Sequence, residues 1–142
     1  MSITYRTASV TDFDVLYPVV EKLHAQSVFS DYPIDKLSVL RTFVTAITFD
    51  TGFTQVAERN GVIVGAVVGI MSLNQIGLMC AQDLFTYSKG GTDKMIKCFI
   101  QWAQENGCAF IQISEYSDSN RYRHLLNAVG LRPAGLNFIK VF

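Results

Sequence analysis

The sequence predicts a mixed α/β (α+β) fold: a mostly antiparallel sheet, a central parallel β-α-β crossover and helices on both faces. Two β-rich runs meet at Asn60-Gly61, which is the strongest short hairpin signal in the chain. Further on, a β-rich run at residues 78–87 leads through Gly90-Gly91 into a long amphipathic helix and then another strand. Such a strand–helix–strand connection is expected to be parallel and right-handed.

Composition narrows the class of protein. The chain has 142 residues, 49% of them apolar, and a formal net charge of zero, so we expect one domain over residues 1–142 rather than a disordered chain. Nucleic acid is an unlikely partner, because affinity for a phosphate backbone comes from an excess of Lys and Arg. The three scattered cysteines lack metal-ligand spacing and predict reduced thiols in a cytoplasmic protein. No signal-peptide core or membrane-length apolar run is present, so no membrane partner is expected.

The first part of the chain is predicted to form one strand and two helices. Residues 3–7 form the strand, and Ser9 or Thr11 can cap a helix that runs to about residue 26. Pro18 lies inside this helix and is expected to bend or divide it. Residues 29–33 form a loop, and the second helix spans about residues 35–47.

The second part is predicted to form most of the sheet. Residues 54–58 and 62–72 flank the Asn-Gly turn, and Gly65 and Gly69 in the second arm indicate a bulge or a close backbone approach. The strand at 78–87 follows, and the long helix ends at Asn106-Gly107. The remaining elements are a strand at 109–113, a helix at 119–128 and a final strand at 136–141. That last strand could lie at a sheet edge and pair two copies into a homodimer.

The segment Lys89-Gly90-Gly91-Thr92 is the candidate binding site. The first turn of the helix after it leaves backbone N–H groups unpaired and carries the positive end of the helix dipole. Two glycines allow a ligand to approach the backbone closely, so a phosphate or pyrophosphate is the natural ligand. A strand-to-helix turn that binds nothing is the alternative, and the glycines alone favour that alternative.

The order of these elements resembles the GNAT acetyltransferase fold. Within that family, the short members that bacteriophages often encode resemble this chain most. Residues 57–65 are similar to the family's hairpin, and Asp83-Leu84-Phe85 is similar to the acidic-apolar-aromatic run of its fourth strand. Residues 103–108 and 127–133 resemble the ends of its third and fourth helices. The resemblance covers nearly the whole chain, and the order and spacing of the motifs carry it.

The resemblance implies transfer of an acetyl group from acetyl-CoA, the co-substrate, to an amine of a small molecule or protein. The amine would attack the thioester directly, and backbone N–H groups of a bulge in the fourth strand would contact the CoA arm and the thioester oxygen. The residues implied to bind acetyl-CoA are Leu84, Phe85, Thr86, Lys89, Gly90, Gly91, Thr92 and Asp93.

Three residues are candidates for catalysis. Asp83 could act as the base, since a partly enclosed carboxylate can have a raised pKa, or it could be a structural hydrogen-bond acceptor. Glu115, just past the next strand, is the second candidate for this role, with a solvated loop residue as the alternative. Tyr122 could replace the hydroxyl of the family's usual tyrosine, whose position is taken here by Leu126. An ordinary half-buried tyrosine is the alternative for Tyr122.

The connection between the first two helices lines the acceptor pocket in this family, so four residues resemble acceptor contacts. They are His24, Ser27, Ser30 and Tyr32. For His24 an equal alternative is a cation at the end of a helix, where the helix dipole favours it.

The glycine turn also departs from the family's pattern. Tyr87 stands where a basic or amide residue is usual, Thr92 takes the last small position, and the turn is short. Together with Leu126, these departures motivate a second hypothesis: a GNAT-fold protein with little or no turnover, phage-encoded and directed at a host protein. Whether Gly90 to Asp93 binds a pyrophosphate distinguishes the two hypotheses.

Overall fold

The computed structural model describes residues 2–114, 120–135 and 138–142. A five-stranded sheet has the order β1-β2-β3-β4-β5; all neighbours are antiparallel except β4 and β5, which are parallel. This confirms the predicted fold class. The elements in chain order are β1 (Thr4–Arg6), α1 (Phe13–Ala25), α2 (Lys36–Thr48), β2 (Gly52–Arg59), β3 (Val62–Leu73), β4 (Met79–Ser88), α3 (Thr92–Glu105), β5 (Phe110–Gln112) and α4 (Asn120–Ala128).

The Asn-Gly hairpin forms as predicted. Asn60 and Gly61 have φ angles of 55° and 75° and join β2 to β3. Both residues are therefore left-handed, which is the backbone geometry that a two-residue hairpin turn of type I′ requires.

Each face of the sheet has its own hydrophobic core. Helices α1 and α2 cover one face, where Val56 and Val68 pack against Phe43. Helix α3 covers the other face, where Val67 packs near Phe99. Val67 and Val68 are neighbours on β3, and successive side chains of a strand point to opposite faces of the sheet, so β3 contributes to both cores.

A close approach of α3 to the sheet explains Gly69. A Cβ atom there would lie 2.5 Å from Cε1 of Phe99, which no real Cβ contact allows. This confirms the close backbone approach that the glycine indicated.

Two bulges interrupt the pairing of β3. Opposite β2, Val64 is the extra residue, since Gly65 pairs with Ala57 and Ile63 with Glu58. Opposite β4, Val68 pairs with Phe85 and Gly69 with Asp83, so Leu84 is the extra residue on β4. A bulge on the fourth strand was expected from the family resemblance, and it is present at Leu84.

The bulge at Leu84 decides which way the neighbouring side chains face. Leu84 and Phe85 both lie on the side of α1 and α2. Asp83 pairs with Gly69 and Thr86 pairs with Val67, so both lie on the face that α3 covers. Two consecutive side chains on one face are a direct consequence of the extra residue.

The expected final strand is not formed over the residues that the structure describes. Residues 138–142 form no strand, so the final strand is absent over its described part, and the expected homodimer through that edge loses its basis. Phe138 and Phe142 are 92% and 98% exposed, so their alternation has no sheet face to pack on. Of the two effects expected of Pro18, division of α1 does not occur, since the helix continues from Phe13 to Ala25, and a bend stays a prediction. The buried neighbours Leu16 and Tyr17 anchor the helix there, and packing outweighs the loss of one backbone hydrogen bond.

No helix in the described part of the chain is long and apolar enough to cross a membrane.

Candidate functional site

The glycine turn joins β4 to α3. At one of its two glycines, Gly91, both the backbone conformation and the space available favour a residue without a Cβ atom. Gly91, the residue before α3, has a φ of 72°. A Cβ atom on Gly91 would also lie 2.7 Å from the hydroxyl oxygen of Tyr5. Gly90 differs, because a Cβ atom there would make ordinary contacts, the nearest at 3.4 Å to Ile3. The turn therefore needs glycine at residue 91 for its fold, whereas at residue 90 a small side chain fits.

The start of α3 presents donors without acceptors inside the helix. The first backbone bond runs from the N–H of Met95 to the carbonyl oxygen of Gly91, at 3.2 Å. The N–H groups of residues 92–94 precede that bond and therefore have no acceptor within the helix. Thr92 is only 3% exposed, and its Oγ1 atom has no hydrogen-bond partner among the described residues. A buried hydroxyl in this state costs about 1–3 kcal/mol, which a ligand oxygen would offset.

A cavity of about 350 Å³ lies beside this turn, between the start of α3 and α4. We call it the glycine-turn cavity. Two cations, Lys89 and Arg121, line it together with one acid, Asp93, so its side chains favour an anion. Its lining residues are Ser88, Lys89, Gly90, Gly91, Thr92, Asp93, Arg121, Tyr122 and Leu125.

Asp83 lies where β4 and β5 part. The two strands pair only from Cys80 to Gln82 on β4, although β4 continues to Ser88. The Asp83 carboxylate then accepts hydrogen bonds from the backbone N–H of Ser114, at 2.9 Å, and from the Thr86 hydroxyl, at 2.8 Å. Burial raises the pKa of Asp83 above its ordinary value, and these two hydrogen bonds partly oppose the rise. The observed geometry is that of a structural acceptor; a role as base stays a prediction.

A second cavity, of about 340 Å³, lies on the opposite face of the sheet, between α1, α2 and the strands β3 and β4. We call it the helix-side cavity. Leu84 and Phe85 form part of its wall, so it touches the bulge. Its lining residues are Phe13, Leu16, Tyr17, Val20, Ser38, Val39, Thr42, Phe43, Val68, Leu84 and Phe85.

The four residues expected to contact the acceptor are brought together, but mainly to hold their own loop. The ring nitrogen Nε2 of His24 lies 2.7 Å from the carbonyl oxygen of Tyr32, and the Ser27 hydroxyl donates to the His24 carbonyl at 2.8 Å. The Ser30 N–H donates to the Ser27 carbonyl, and the Tyr32 hydroxyl donates to the carbonyl of Phe142. None of the four lines either cavity. Contact with an acceptor stays a prediction.

The remaining catalytic candidates fall on different parts of the chain. Tyr122 lines the glycine-turn cavity, near the predicted phosphate site. Leu126, one turn later on α4, is buried. Glu115 lies outside the described residues.

Sequence reasoning missed one cation and one whole cavity. The Nη2 atom of Arg59 lies 3.6 Å from where a Cβ of Gly90 would be, although 31 residues separate the two along the chain. Arg59 lies on β2, so the pairing of β2 with β3 and of β3 with β4 brings the two together, and no local signal could have found this contact. The helix-side cavity was missed because its apolar residues have the spacing of an ordinary core.

No family model and no curated protein sequence matches the chain. Solved structures do, over nearly the full length of both chains. A predicted acetyltransferase from Clostridium acetobutylicum, in a structure with acetyl-CoA, has a TM-score of 0.74 at 15% identity, covering 99% of this chain and 96% of that one. Glucosamine-6-phosphate N-acetyltransferase from Arabidopsis thaliana has a TM-score of 0.74 at 11% identity, covering 100% and 99%. Ribosomal-protein-alanine N-acetyltransferase from Brucella melitensis has a TM-score of 0.69 at 15% identity, covering 99% of each. These likenesses show that the chain has the GNAT fold.

Proposed function

We propose that this protein transfers the acetyl group of acetyl-CoA to a primary amine. The observation that carries the proposal is the alignment of three features along β4. They are the parting of β4 from β5 after Gln82, the bulge at Leu84, and the glycine-turn cavity with the Thr92 hydroxyl, which has no hydrogen-bond partner among the described residues. An extended thioester substrate with a pyrophosphate at one end would contact all three.

The pyrophosphate would bind in the glycine-turn cavity. The N–H groups of residues 92–94 and the Thr92 hydroxyl are hydrogen-bond donors, and the positive end of the α3 dipole favours an anion there. Lys89 and Arg121 supply formal positive charge on the cavity wall. Asp93 carries one negative charge, which offsets part of this positive charge. Its backbone N–H rather than its carboxylate would face the ligand. Tyr122 would contact the same end of the substrate.

The acetyl group would lie at the bulge. Backbone N–H groups at residues 84–86 are the donors proposed for the CoA arm and the thioester oxygen, where negative charge develops as the amine attacks. The amine nitrogen bonds to the carbonyl carbon, the carbon–sulfur bond breaks, CoA leaves as the thiolate, and the amine releases a proton to water. Leu84 and Phe85 would therefore line the reaction centre through their backbone.

Asp83 is proposed to be a positioning residue rather than a base. Its two oxygen atoms already accept hydrogen bonds from Ser114 and Thr86, and it lies on the face opposite the helix-side cavity. By these bonds it would fix the width of the opening between β4 and β5. Glu115 follows that opening in sequence and remains the other carboxylate proposed near the reaction.

A second candidate function is binding of CoA without turnover. It is favoured by Leu126, which is buried in place of a hydroxyl that could protonate the leaving thiolate. A protein of this kind would act as an interaction module, and a host protein of a phage would be its target.

Turnover separates the two candidates. The release of free CoA thiol from acetyl-CoA should rise when a mixture of amines is added, and mass spectrometry should find an acetylated amine. Tight binding of acetyl-CoA with no thiol release, over amines and protein N-termini alike, would establish the second candidate.

A further inference from the structure

The helix-side cavity carries information about the class of acceptor. Its walls are aliphatic and aromatic side chains, and the polar groups among its lining residues are the hydroxyls of Tyr17, Ser38 and Thr42. No charged side chain of the described residues lines it. Its volume of about 340 Å³ is near the lower end of the range for ligand pockets, about 300–1,000 Å³.

These walls discriminate between classes of amine. Each sugar hydroxyl or additional ammonium group placed there would lose its water, and the lining offers few partners in return. An unpaired buried polar group is destabilising, and an unpaired buried charge is more so. An apolar body instead gains binding free energy from each part of its surface that it removes from water. The cavity therefore favours a small apolar body and disfavours a sugar or a polycation.

The position of the cavity fits the proposed reaction. Leu84 and Phe85, the bulge residues, form part of its wall, so a ligand that fills it lies next to the proposed thioester site. Apolar surroundings also disfavour the charged ammonium form of an amine, and the neutral form is the nucleophile. Charged groups do act on Tyr17, one of the lining residues. Lys36 lies over the Tyr17 ring at 5.1 Å, and Glu21 and Asp35 act on its hydroxyl.

We propose that the acceptor is a primary amine on a small apolar body, aliphatic or aromatic, which fills the helix-side cavity with its nitrogen towards Leu84. This inference rests on the proposed acetyl transfer and names its substrate class. The products are the N-substituted acetamide and CoA.

Two threonines on α2 allow a matched test. Thr42 lines the cavity, whereas Thr45, one turn later and also exposed, does not. The probes are 2-phenylethylamine, which has an apolar body, and glucosamine, which does not. We expect kcat/KM for 2-phenylethylamine to exceed that for glucosamine by at least about tenfold, the equivalent of 1.4 kcal/mol. Thr42→Trp should lower kcat/KM for 2-phenylethylamine by a similar factor and leave acetyl-CoA binding intact, while Thr45→Trp should change neither.

A second variant and a binding measurement keep the outcomes distinct. Val39→Phe fills the same cavity from a neighbouring position on α2, in case the Thr42→Trp side chain turns towards water. Two results would overturn the inference and leave acetyl transfer in place. The first is that acetyl-CoA binds but glucosamine is the better acceptor. The second is that Thr42→Trp and Thr45→Trp have equal effects and Val39→Phe has none. If acetyl-CoA does not bind, acetyl transfer fails. Direct NMR titration with 2-phenylethylamine then decides whether the cavity is still an apolar-amine site: binding blocked by Thr42→Trp supports it, and no binding overturns it.

Discussion

The backbone N–H of Ser114 donates to the carboxylate of Asp83, 2.9 Å away, at the point where β4 and β5 cease to pair. Parallel strands that part would each expose unpaired backbone groups, and one side chain here satisfies such a group across the opening. The same carboxylate accepts the Thr86 hydroxyl from beyond the bulge. Asp83 therefore connects β4 on both sides of the bulge with the residues that follow β5.

Asp83→Asn tests the positioning role. The asparagine oxygen can still accept from Ser114 and its amide can donate to Thr86, so we expect acetyl-CoA binding to persist and kcat to fall less than about fivefold, under 1 kcal/mol. Asp83→Ala removes both contacts and should weaken binding and turnover together. Loss of turnover in Asp83→Asn, with binding unchanged and the fall in rate at low pH gone from the pH–rate profile, would instead make Asp83 the base.

The raised pKa of Asp83 predicts a pH dependence of stability. Because the folded state binds this proton more tightly than the unfolded state, unfolding releases it, and the free energy of unfolding falls as pH rises from 3.8 through the folded pKa. Asp83→Asn removes this contribution. Urea unfolding at a series of pH values should show a steeper decline for the wild type than for the variant, whereas parallel curves would be inconsistent with an Asp83 pKa raised in the fold.

Thr92→Val should separate binding from stability. The variant removes a buried hydroxyl that has no hydrogen-bond partner among the described residues, at nearly constant volume, so the melting temperature should stay the same or rise. Acetyl-CoA affinity should fall about tenfold or more, since hydrogen bonds to charged groups contribute about 1.5–3 kcal/mol. Thr45→Val, on the exposed side of α2, is the control. Equal affinity in the wild type and Thr92→Val would remove this hydroxyl from the site.

Gly91→Ala should destabilise the fold more than Gly90→Ala. The left-handed conformation of residue 91 costs a residue with a Cβ about 1–2 kcal/mol, and the contact with the Tyr5 hydroxyl adds to this. Introducing Tyr5→Phe into Gly91→Ala should restore only the part due to that contact. Chemical denaturation of the four proteins measures both parts, and equal stability of the two alanine variants would contradict the geometry of the turn.

Local signals predicted most of the fold. The turn at Asn60-Gly61 needs only the backbone preferences of two adjacent residues, and the glycines of β3 indicated a close approach that Phe99 explains. Local signals failed at residues 136–141, where the alternation of apolar and polar residues predicted a final strand. There Phe138 has the strand pattern but no strand to pair with among the described residues, and pairing is a tertiary property that the pattern does not contain.

The site was predictable where it depends on the backbone and not where it depends on distant partners. The glycine turn could be located because a strand, two glycines and an amphipathic helix are adjacent in the sequence. Thr86, one hydrogen-bond donor to Asp83, is near it in sequence, but the other donor, Ser114, is 31 residues away, so the contact across the opening required the sheet to be built. The helix-side cavity depends on how closely α1 and α2 approach the bulge, and apolar spacing alone cannot distinguish a filled core from an open one.

Calorimetric titration with acetyl-CoA, with free CoA in parallel, tests the central claim most directly. We predict micromolar binding to the wild type and none to Gly90→Val, whose larger side chain crowds the phosphate approach while the Cβ position itself makes only ordinary contacts. Thermal melting confirms that the variant is folded. Absence of binding up to millimolar acetyl-CoA, or unchanged binding in a folded Gly90→Val, would contradict the assignment of the glycine turn as the pyrophosphate site.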